Sequence, residues 1–407
     1  MSTIDNYITP NKLLCSVVGI KSNYENSSTL SKTFTRLRLI FTIISTVTLF
    51  IPQTLQIMIH WGDINVLTGV GCVWLAVTML MFKLFYVLLR RKKMENMYLV
   101  IRELWEVTSD PDEKQIYENT AWQAKIFTII FCCVAFSNNV LFTGAAAMPW
   151  IKSYSKSVNE TNIVRDLPFD IWYGFDVSTS PNYEIVFCWQ SITALICNIA
   201  ILGLDSTMMT MTLHICGQFK LIQNWFRKIG YKINKEQMIN VQSTTRNAFL
   251  ENVRSNIDRC IQHHQRMIEI ANDMEDLINP VIFVQFVLSA SVICLSGYAV
   301  TTVTYVRHWI KFSNYLMAML VELAAWCWPG EVILQESGII GDVVYLEIPW
   351  YKLPKSYQAD LILVIIRSQK RCQITAAKFQ TMSVEKFGHV LSTAASYFTL
   401  LRQLNGD

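Results

Sequence analysis

The stretch that decides the fold is residues 387–404, FGHVLSTAASYFTLLRQL, a hydrophobic helix near the carboxyl end of the chain. Hydroxyl and leucine side chains recur in it at spacings of four, as Ser392, Ser396, Leu400 and Leu404. Residues at i and i+4 lie on the same helix face, so one stripe is polar in its first half and apolar in its second. Gln403 lies beside the apolar half.

This stripe has two physical explanations. Several copies of the helix around an axis would form a hydroxyl-lined pore with a leucine constriction, because hydrophobic rings gate channels by dewetting. The stripe could equally be a packing face, since small and hydroxyl-bearing residues also let membrane helices approach each other closely. From the spacing alone, the packing face is the simpler explanation.

The composition of the whole chain indicates the class of protein. Of the 407 residues, 52% are hydrophobic and 16% are charged, which indicates an all-α polytopic membrane protein. A spanning helix needs about 20 apolar residues. Six runs meet this need before the terminal helix: 39–59, 64–89, 126–151, 185–219, 277–306 and 312–328. The pair Pro329-Gly330 predicts the end of the sixth, and the run 361–366 is too short to cross, so the terminal helix is the seventh.

The positions of Lys and Arg predict the orientation of the chain. Basic residues cluster in RRKK at 90–93 and recur through 220–266, whereas the links after the first and fifth spans carry few of them. The even-numbered links and the amino terminus are therefore expected in the cytoplasm, and the polar start of the chain contains no cleavable signal peptide. Asn159 begins the glycosylation acceptor Asn-Glu-Thr in the third link, which is expected outside.

The predicted organisation divides the chain into six parts. They are a cytoplasmic tail at 1–38, spans one to four at 39–219, a cytoplasmic amphipathic link at 220–276, spans five and six at 277–335, a cytoplasmic hinge with a short anchor helix at 336–386, and the seventh span at 387–407. In the link, apolar residues from Phe249 to Ile278 recur every three or four positions, which predicts one long amphipathic helix. We expect it to form an inner helical anchor domain that joins subunits; the alternative is a helix lying on the lipid surface.

Three charged side chains interrupt the apolar spans. Lys83 and Asp205 come late in helices that start outside, so both are expected near the inner interface and in reach of water. Glu322 lies near the bilayer midplane, where a carboxylate is costly unless it is paired, hydrated or protonated. The sequence leaves a functional role and a structural pairing of Glu322 equally open.

The outer halves of spans two, three, four and six are rich in aromatic residues and poor in polar ones. An apolar pocket with a few orienting hydrogen bonds suits a small volatile or lipid-like ligand, although core packing explains each residue taken singly. The candidate ligand-binding residues are Trp74, Thr78, Asn138, Asn139, Phe142, Trp189, Thr193, Tyr315 and Met319. Neither a metal-ligand spacing nor a catalytic constellation is present in the sequence, so we expect no enzyme activity, no metal and no cofactor.

Several motifs in the carboxyl-terminal part resemble a known family, the insect odorant receptors. They are IIRSQK at 365–370, Phe379, Phe387 and SYF at 396–398, with WPG at 328–330, Ser337 and PWY at 349–351 upstream. The run 396–404 is also similar to a wider insect chemoreceptor pattern that includes gustatory receptors. With the seven-span plan and a cytoplasmic amino terminus, the resemblance covers nearly the whole chain.

The resemblance implies an odorant-gated cation channel in the plasma membrane of olfactory sensory neurons. In that family, the receptor forms a heterotetramer with an obligate co-receptor and binds a small volatile odorant in the outer halves of its helices, with no nucleic-acid partner. The last helix lines the pore, which would place the hydrophobic gate at Leu400 and Leu404 and a polar constriction at Gln403. The resemblance reverses our preference for the terminal stripe, in favour of the pore.

Three features qualify the resemblance. The long cytoplasmic insertion expected of the co-receptor is absent, which indicates a tuning subunit. Leu346 stands where the family often has an aromatic residue, and Tyr345 is one place off. Arg402 stands where an apolar residue is usual, and its charge near the pore exit is expected to reduce cation flux.

Other classes fit the sequence less well. A self-assembling channel of the gustatory type is the nearest alternative. A G-protein-coupled receptor would have the opposite orientation and favour an outer disulfide, and a secondary transporter would contain internal repeats.

Overall fold

The computed structural model describes residues 4–20, 28–108, 110–155, 166–169, 171–236, 243–302 and 306–405. These residues are almost entirely helical, which confirms the predicted all-α class. The helices are α1 (Asp5–Val17), α2 (Thr29–Ile59), α3 (Ile64–Leu89), α4 (Arg91–Val107), α5 (Pro111–Ser155), α6 (Asn182–Glu236), α7 (Ser243–Thr302), α8 (Val306–Glu347), a 3₁₀ turn (Trp350–Lys352), α9 (Lys355–Gln369) and α10 (Val384–Asn405). Two short antiparallel strands, β1 (Thr375–Ala376) and β2 (Gln380–Thr381), precede α10.

Within the described ranges, six helices are long and apolar enough to cross a membrane: α2, α3, α5, α6, α7 and α8. The terminal helix α10 has 22 residues, enough for one crossing, and lies outside that group. Helices α6 and α7 have 55 and 60 residues, which at 1.5 Å per residue gives roughly 80 to 90 Å. Both are far longer than a bilayer requires, so they project well beyond it.

Helix α8 corrects one prediction from the sequence. Pro329-Gly330 was expected to end the sixth span, but the helix continues through this pair to Glu347. Packing explains the glycine, because a Cβ at Gly330 would lie 2.4 Å from the carbonyl oxygen of Met382. Neighbouring groups can accommodate a proline within a packed membrane helix. The pair therefore permits a close contact instead of ending the helix.

The apolar stripe of the amphipathic link is buried, as predicted. Val253 and Ile257 on α7 are 2% and 0% exposed, so this face packs inside the protein and does not lie on lipid. Polar contacts fix the same helix to α9: the guanidinium of Arg254 bonds the carboxylate of Asp360, and the hydroxyl of Tyr357 donates to the carbonyl oxygen of Leu250 over 3.2 Å. The anchor helix predicted at 361–366 is longer, since α9 begins at Lys355.

The first helix of the chain packs against α5 and α6. Asn11 of α1 is buried, and its amide nitrogen donates to the hydroxyls of Thr128 on α5 and Thr210 on α6, over 3.4 and 3.3 Å. Gly19 lets the following turn approach α2, because a Cβ there would lie 2.3 Å from the amide nitrogen of Leu39. Gly19 also has φ +83°, which disfavours any other residue.

Candidate ligand pocket and terminal helix

A cavity of about 200 Å³ lies among helices α3, α5, α6 and α8, in the region where the sequence places ligand-binding residues. Five of the nine candidates line this one cavity: Asn138, Asn139, Phe142, Tyr315 and Met319. The other described lining residues are mostly apolar, among them Leu49, Val77, Leu80, Ala194 and Ala318. The cavity therefore has the composition of a site for a small, largely apolar molecule.

Aromatic rings form one wall of this cavity. The ring centroid of Phe142 lies 5.3 Å from that of Tyr315 and 5.3 Å from that of Phe169, both at tilted angles. Phe169 belongs to the link between α5 and α6 and was not expected from the sequence, because its position shows no helical periodicity. Gln190 on α6 holds it there, donating to the carbonyl oxygen of Phe169 over 3.1 Å and accepting from its amide over 2.9 Å.

Two asparagines of the cavity join neighbouring helices. The amide nitrogen of Asn314 on α8 donates to the carbonyl oxygen of Asn138 over 3.1 Å, and that of Asn198 on α6 donates to Ala135 over 3.0 Å. Asn198 and Asn314 were missed as candidates, although an amide within an apolar run is a recognisable signal. Both hold their helix against α5, so the cavity walls are cross-linked.

The other four candidates lie outside the cavity lining. The indole nitrogen of Trp74 donates to the hydroxyl of Thr54 on α2 over 2.9 Å, and Trp189 packs edge-on against Phe41 of α2 at 6.3 Å. Thr78 donates within its own helix, and Thr193 is fully buried between helices. The two tryptophans thus attach α3 and α6 to the first spanning helix.

Three charged side chains meet at the floor of the cavity. The ammonium nitrogen of Lys83 on α3 lies 2.8 Å from Oδ2 of Asp205 on α6 and 3.0 Å from Oε1 of Glu322 on α8. Their side chains are 1%, 0% and 7% exposed. The expectation that Lys83 and Asp205 reach water is wrong, because both are buried inside the protein, where Lys83 pairs with Asp205 and with Glu322. Glu322 also lines the cavity.

The terminal helix carries the predicted pore stripe on an exposed face. Ser392 and Ser396 are exposed in the single chain, and the hydroxyl of Ser396 donates to the carbonyl oxygen of Ser392 over 3.0 Å. The opposite face is covered by α7 and α8, with Val390 and Ala394 buried. The backbone of α10 is described to Asn405, whereas the side chains of Leu400, Arg402, Gln403 and Leu404 lie outside the described residues, as does the acceptor Asn159.

Helix α8 connects the cavity to the start of α10. It contributes Tyr315, Met319 and Glu322 to the cavity, and further along Glu331 accepts a hydrogen bond at Oε2 from the amide of Val384, the first residue of α10, over 3.2 Å. Ser383 caps the same helix end, since its hydroxyl accepts from the amide of Lys386 over 3.3 Å. One continuous helix therefore lines the candidate ligand cavity and contacts the candidate pore helix.

Comparison with known proteins shows which family the chain resembles. A family model described as the 7tm odorant receptor matches residues 63–395. Odorant receptor 13a of Drosophila melanogaster is 26% identical over 257 residues, which is 60% of this chain and 59% of that protein. Odorant receptor Or2 of Anopheles gambiae is 23% identical over 354 residues, covering 86% and 88% of the two chains.

The fold is also similar to solved structures. The insect olfactory receptor OR5 from Machilis hrabei in complex with eugenol superposes with a TM-score of 0.79 at 12% identity, over 98% of this chain and 97% of that one. The same receptor in a second structure gives a TM-score of 0.77 at 13% identity. At this identity the likeness concerns the fold, and it agrees with the seven-span plan. From the family match across most of its length, we conclude that this chain belongs to the seven-transmembrane odorant receptor family.

Proposed function

We propose that this chain is the odorant-binding subunit of a heteromeric odorant-gated cation channel in the plasma membrane of olfactory sensory neurons. The observation that carries the proposal is the mostly apolar cavity among α3, α5, α6 and α8, in a chain of the odorant receptor family. A cavity of about 200 Å³ suits a small volatile molecule. The second subunit is an obligate co-receptor, and the sequence lacks the cytoplasmic insertion expected of that subunit.

The proposed gating motion runs along α8. A ligand against Tyr315 and Met319 displaces this helix, and Gly330 and Glu331, roughly 12 Å beyond Glu322 at 1.5 Å per residue, transmit the displacement to α10. Gly330 has room for the carbonyl oxygen of Met382 only because it lacks a Cβ. Two packed arrangements of such a junction give a two-state gate, because packed interfaces switch between states and do not deform continuously.

In this account, α10 supplies the pore. Ser392 and Ser396 line its wider part, Leu400 and Leu404 form the hydrophobic gate, and Gln403 forms the polar constriction. Support comes from the exposed hydroxyl face of α10, which no other described element of the same chain covers. Four such faces around an axis would enclose a water-filled path closed by dewetting.

The proposed topology places the amino terminus in the cytoplasm and the link containing Asn159 outside. Enzymatic deglycosylation of the surface-expressed protein tests it. A mobility shift that disappears in the Asn159→Gln variant is expected, and an unshifted protein at the cell surface would contradict an outward, glycosylated link.

Electrophysiology tests the function as a whole. We would express the chain with and without the co-receptor and record current against volatile esters, alcohols, acids and hydrocarbons. Ligand-evoked current in the pair and none from this chain alone is the expected result. Current from this chain alone would instead indicate a self-sufficient channel of the gustatory type.

A further inference from the structure

The floor of the ligand cavity carries two acidic side chains and one basic side chain. With Lys83 protonated and both acids ionised, the three groups sum to one net negative charge, and none is more than 7% exposed. A net charge in a dry interior is unfavourable unless a further partner compensates it. A cationic or hydrogen-bond-donating ligand is one partner that can reach it.

Of the three charged residues, Glu322 faces the cavity. It is among the lining residues, whereas Lys83 and Asp205 are not. Lys83 occupies one carboxylate oxygen of Glu322, at 3.0 Å from Oε1. A carboxylate accepts several hydrogen bonds through two oxygens, so Glu322 keeps accepting capacity beyond the bond to Lys83.

The other polar groups of the lining do not select between ligands. The nitrogens of Asn198 and Asn314 each donate one hydrogen bond to a main-chain carbonyl of α5, and every side-chain amide of the lining can both donate and accept. The hydroxyl of Tyr315 can donate or accept, so it does not select between ligands. Among the described lining residues, Glu322 is the one charged side chain, and in its ionised form it accepts strong hydrogen bonds without donating any.

From this arrangement we infer that Glu322 determines ligand specificity: the cavity prefers small apolar molecules with an alcohol, phenol or primary amine group over isosteres that cannot donate a hydrogen bond. The inference rests on the proposed function and names the chemical class of its ligand. A site with a buried acceptor discriminates against an analogue without the donor, because the acceptor is then desolvated and unpaired.

The test uses matched ligands on the receptor paired with its co-receptor. On each of three carbon skeletons (linear, terpenoid and aromatic) the alcohol, the primary amine and the methyl ether are compared by dose–response recording. We expect half-maximal concentrations for the alcohol and amine at least about tenfold below that of the ether, from the strength of hydrogen bonds to charged groups. In Glu322→Gln the difference should fall below about threefold, because Gln still accepts from Lys83 but presents a donating amide in place of the second accepting oxygen.

Two further variants separate specificity from structure. Met317→Leu is the control variant. Met317 lies on α8, as Glu322 does, but it is 56% exposed and is not among the residues that line the cavity. Asp205→Asn removes one of the two carboxyl groups and leaves Glu322 as an acceptor, so the alcohol should keep its advantage over the ether while the protonated amine becomes less potent relative to the alcohol. This variant and the wild-type ligand series decide the question even if Glu322→Gln does not reach the surface.

The outcomes distinguish this inference from the proposed function. Equal potency of all three ligands, a preference for the ether, or an equal shift of all three in Glu322→Gln would overturn the inference while leaving a functional odorant receptor. Silence towards every compound, with both subunits at the cell surface, would contradict the proposed function itself and the inference with it.

Discussion

Replacing Lys83 with Met tests the charged cluster at the centre of the molecule. The substitution removes the ammonium that lies 2.8 Å from Asp205 and 3.0 Å from Glu322, and it leaves two carboxylates 0% and 7% exposed without their cation. Breaking a buried ion pair on one side costs about 3 to 5 kcal/mol. At about 1.4 kcal/mol per factor of ten, the ratio of folded to unfolded protein falls by roughly two to four orders of magnitude.

The assay combines surface biotinylation with thermal unfolding in detergent. Lys93→Met is the matched control, because Lys93 pairs with Asp273 over 3.5 Å at 35% and 64% exposure, where an ion pair contributes at most about 1 kcal/mol. Combining Lys83→Met with Asp205→Asn and Glu322→Gln should restore most of the surface protein, since no unpaired charge then remains in the cluster. If Lys83→Met matched Lys93→Met in surface level and unfolding temperature, the buried charge cluster would be refuted.

The remaining predictions concern the junction, the cavity and the gate. Gly330→Ala would place a Cβ 2.4 Å from the carbonyl oxygen of Met382, so it should lower the ligand-evoked current per surface receptor at least about fivefold. The control is Gly388→Ala, whose Cβ meets nothing within 4 Å and which should leave this current unchanged. Equal currents in the two variants would exclude α8 from the gating path. Phe142→Ala should raise the half-maximal ligand concentration about tenfold or more, because it removes buried apolar contact with the ligand. Trp189 lies outside the cavity lining, so Trp189→Ala should raise it less than about threefold. The reverse order would indicate that the ligand binds near Trp189 instead. Leu400→Ala should increase current in the absence of ligand, measured as holding current, and an unchanged holding current would exclude Leu400 from the gate.

The sequence predicted best those features that depend on local periodicity. The stripe from Phe249 to Ile278 recurs at helical spacing over many turns, so its burial against neighbouring helices could be anticipated. The end of the sixth span could not be anticipated. Pro329-Gly330 is a local signal for helix termination, but α8 continues through it and packs against Met382. Local signals lose to tertiary contacts whenever the partner comes from a distant part of the chain.

The charged cluster illustrates the same limit. Lys83 is separated by 122 and 239 residues from its two partners, and counting residues along each helix gave no information on which faces meet. The depth along each helix therefore predicted that Lys83 and Asp205 reach water. For Glu322 it correctly predicted that the carboxylate needs a partner. For the ligand cavity, composition indicated the right helices. Only the rotation of each helix decides that Phe142 lines the cavity whereas Trp74 points to α2.

The central claim is that this chain binds an odorant and thereby opens a channel of which it is part. Recording from excised outside-out patches that contain the chain and its co-receptor, without GTP or other nucleotides, tests this most directly. We predict ligand-evoked current whose reversal potential follows the external cation concentration, with no such response in patches containing either subunit alone. Loss of the response on excision, with recovery when GTP is supplied, would contradict the claim and indicate a receptor that acts through a separate channel.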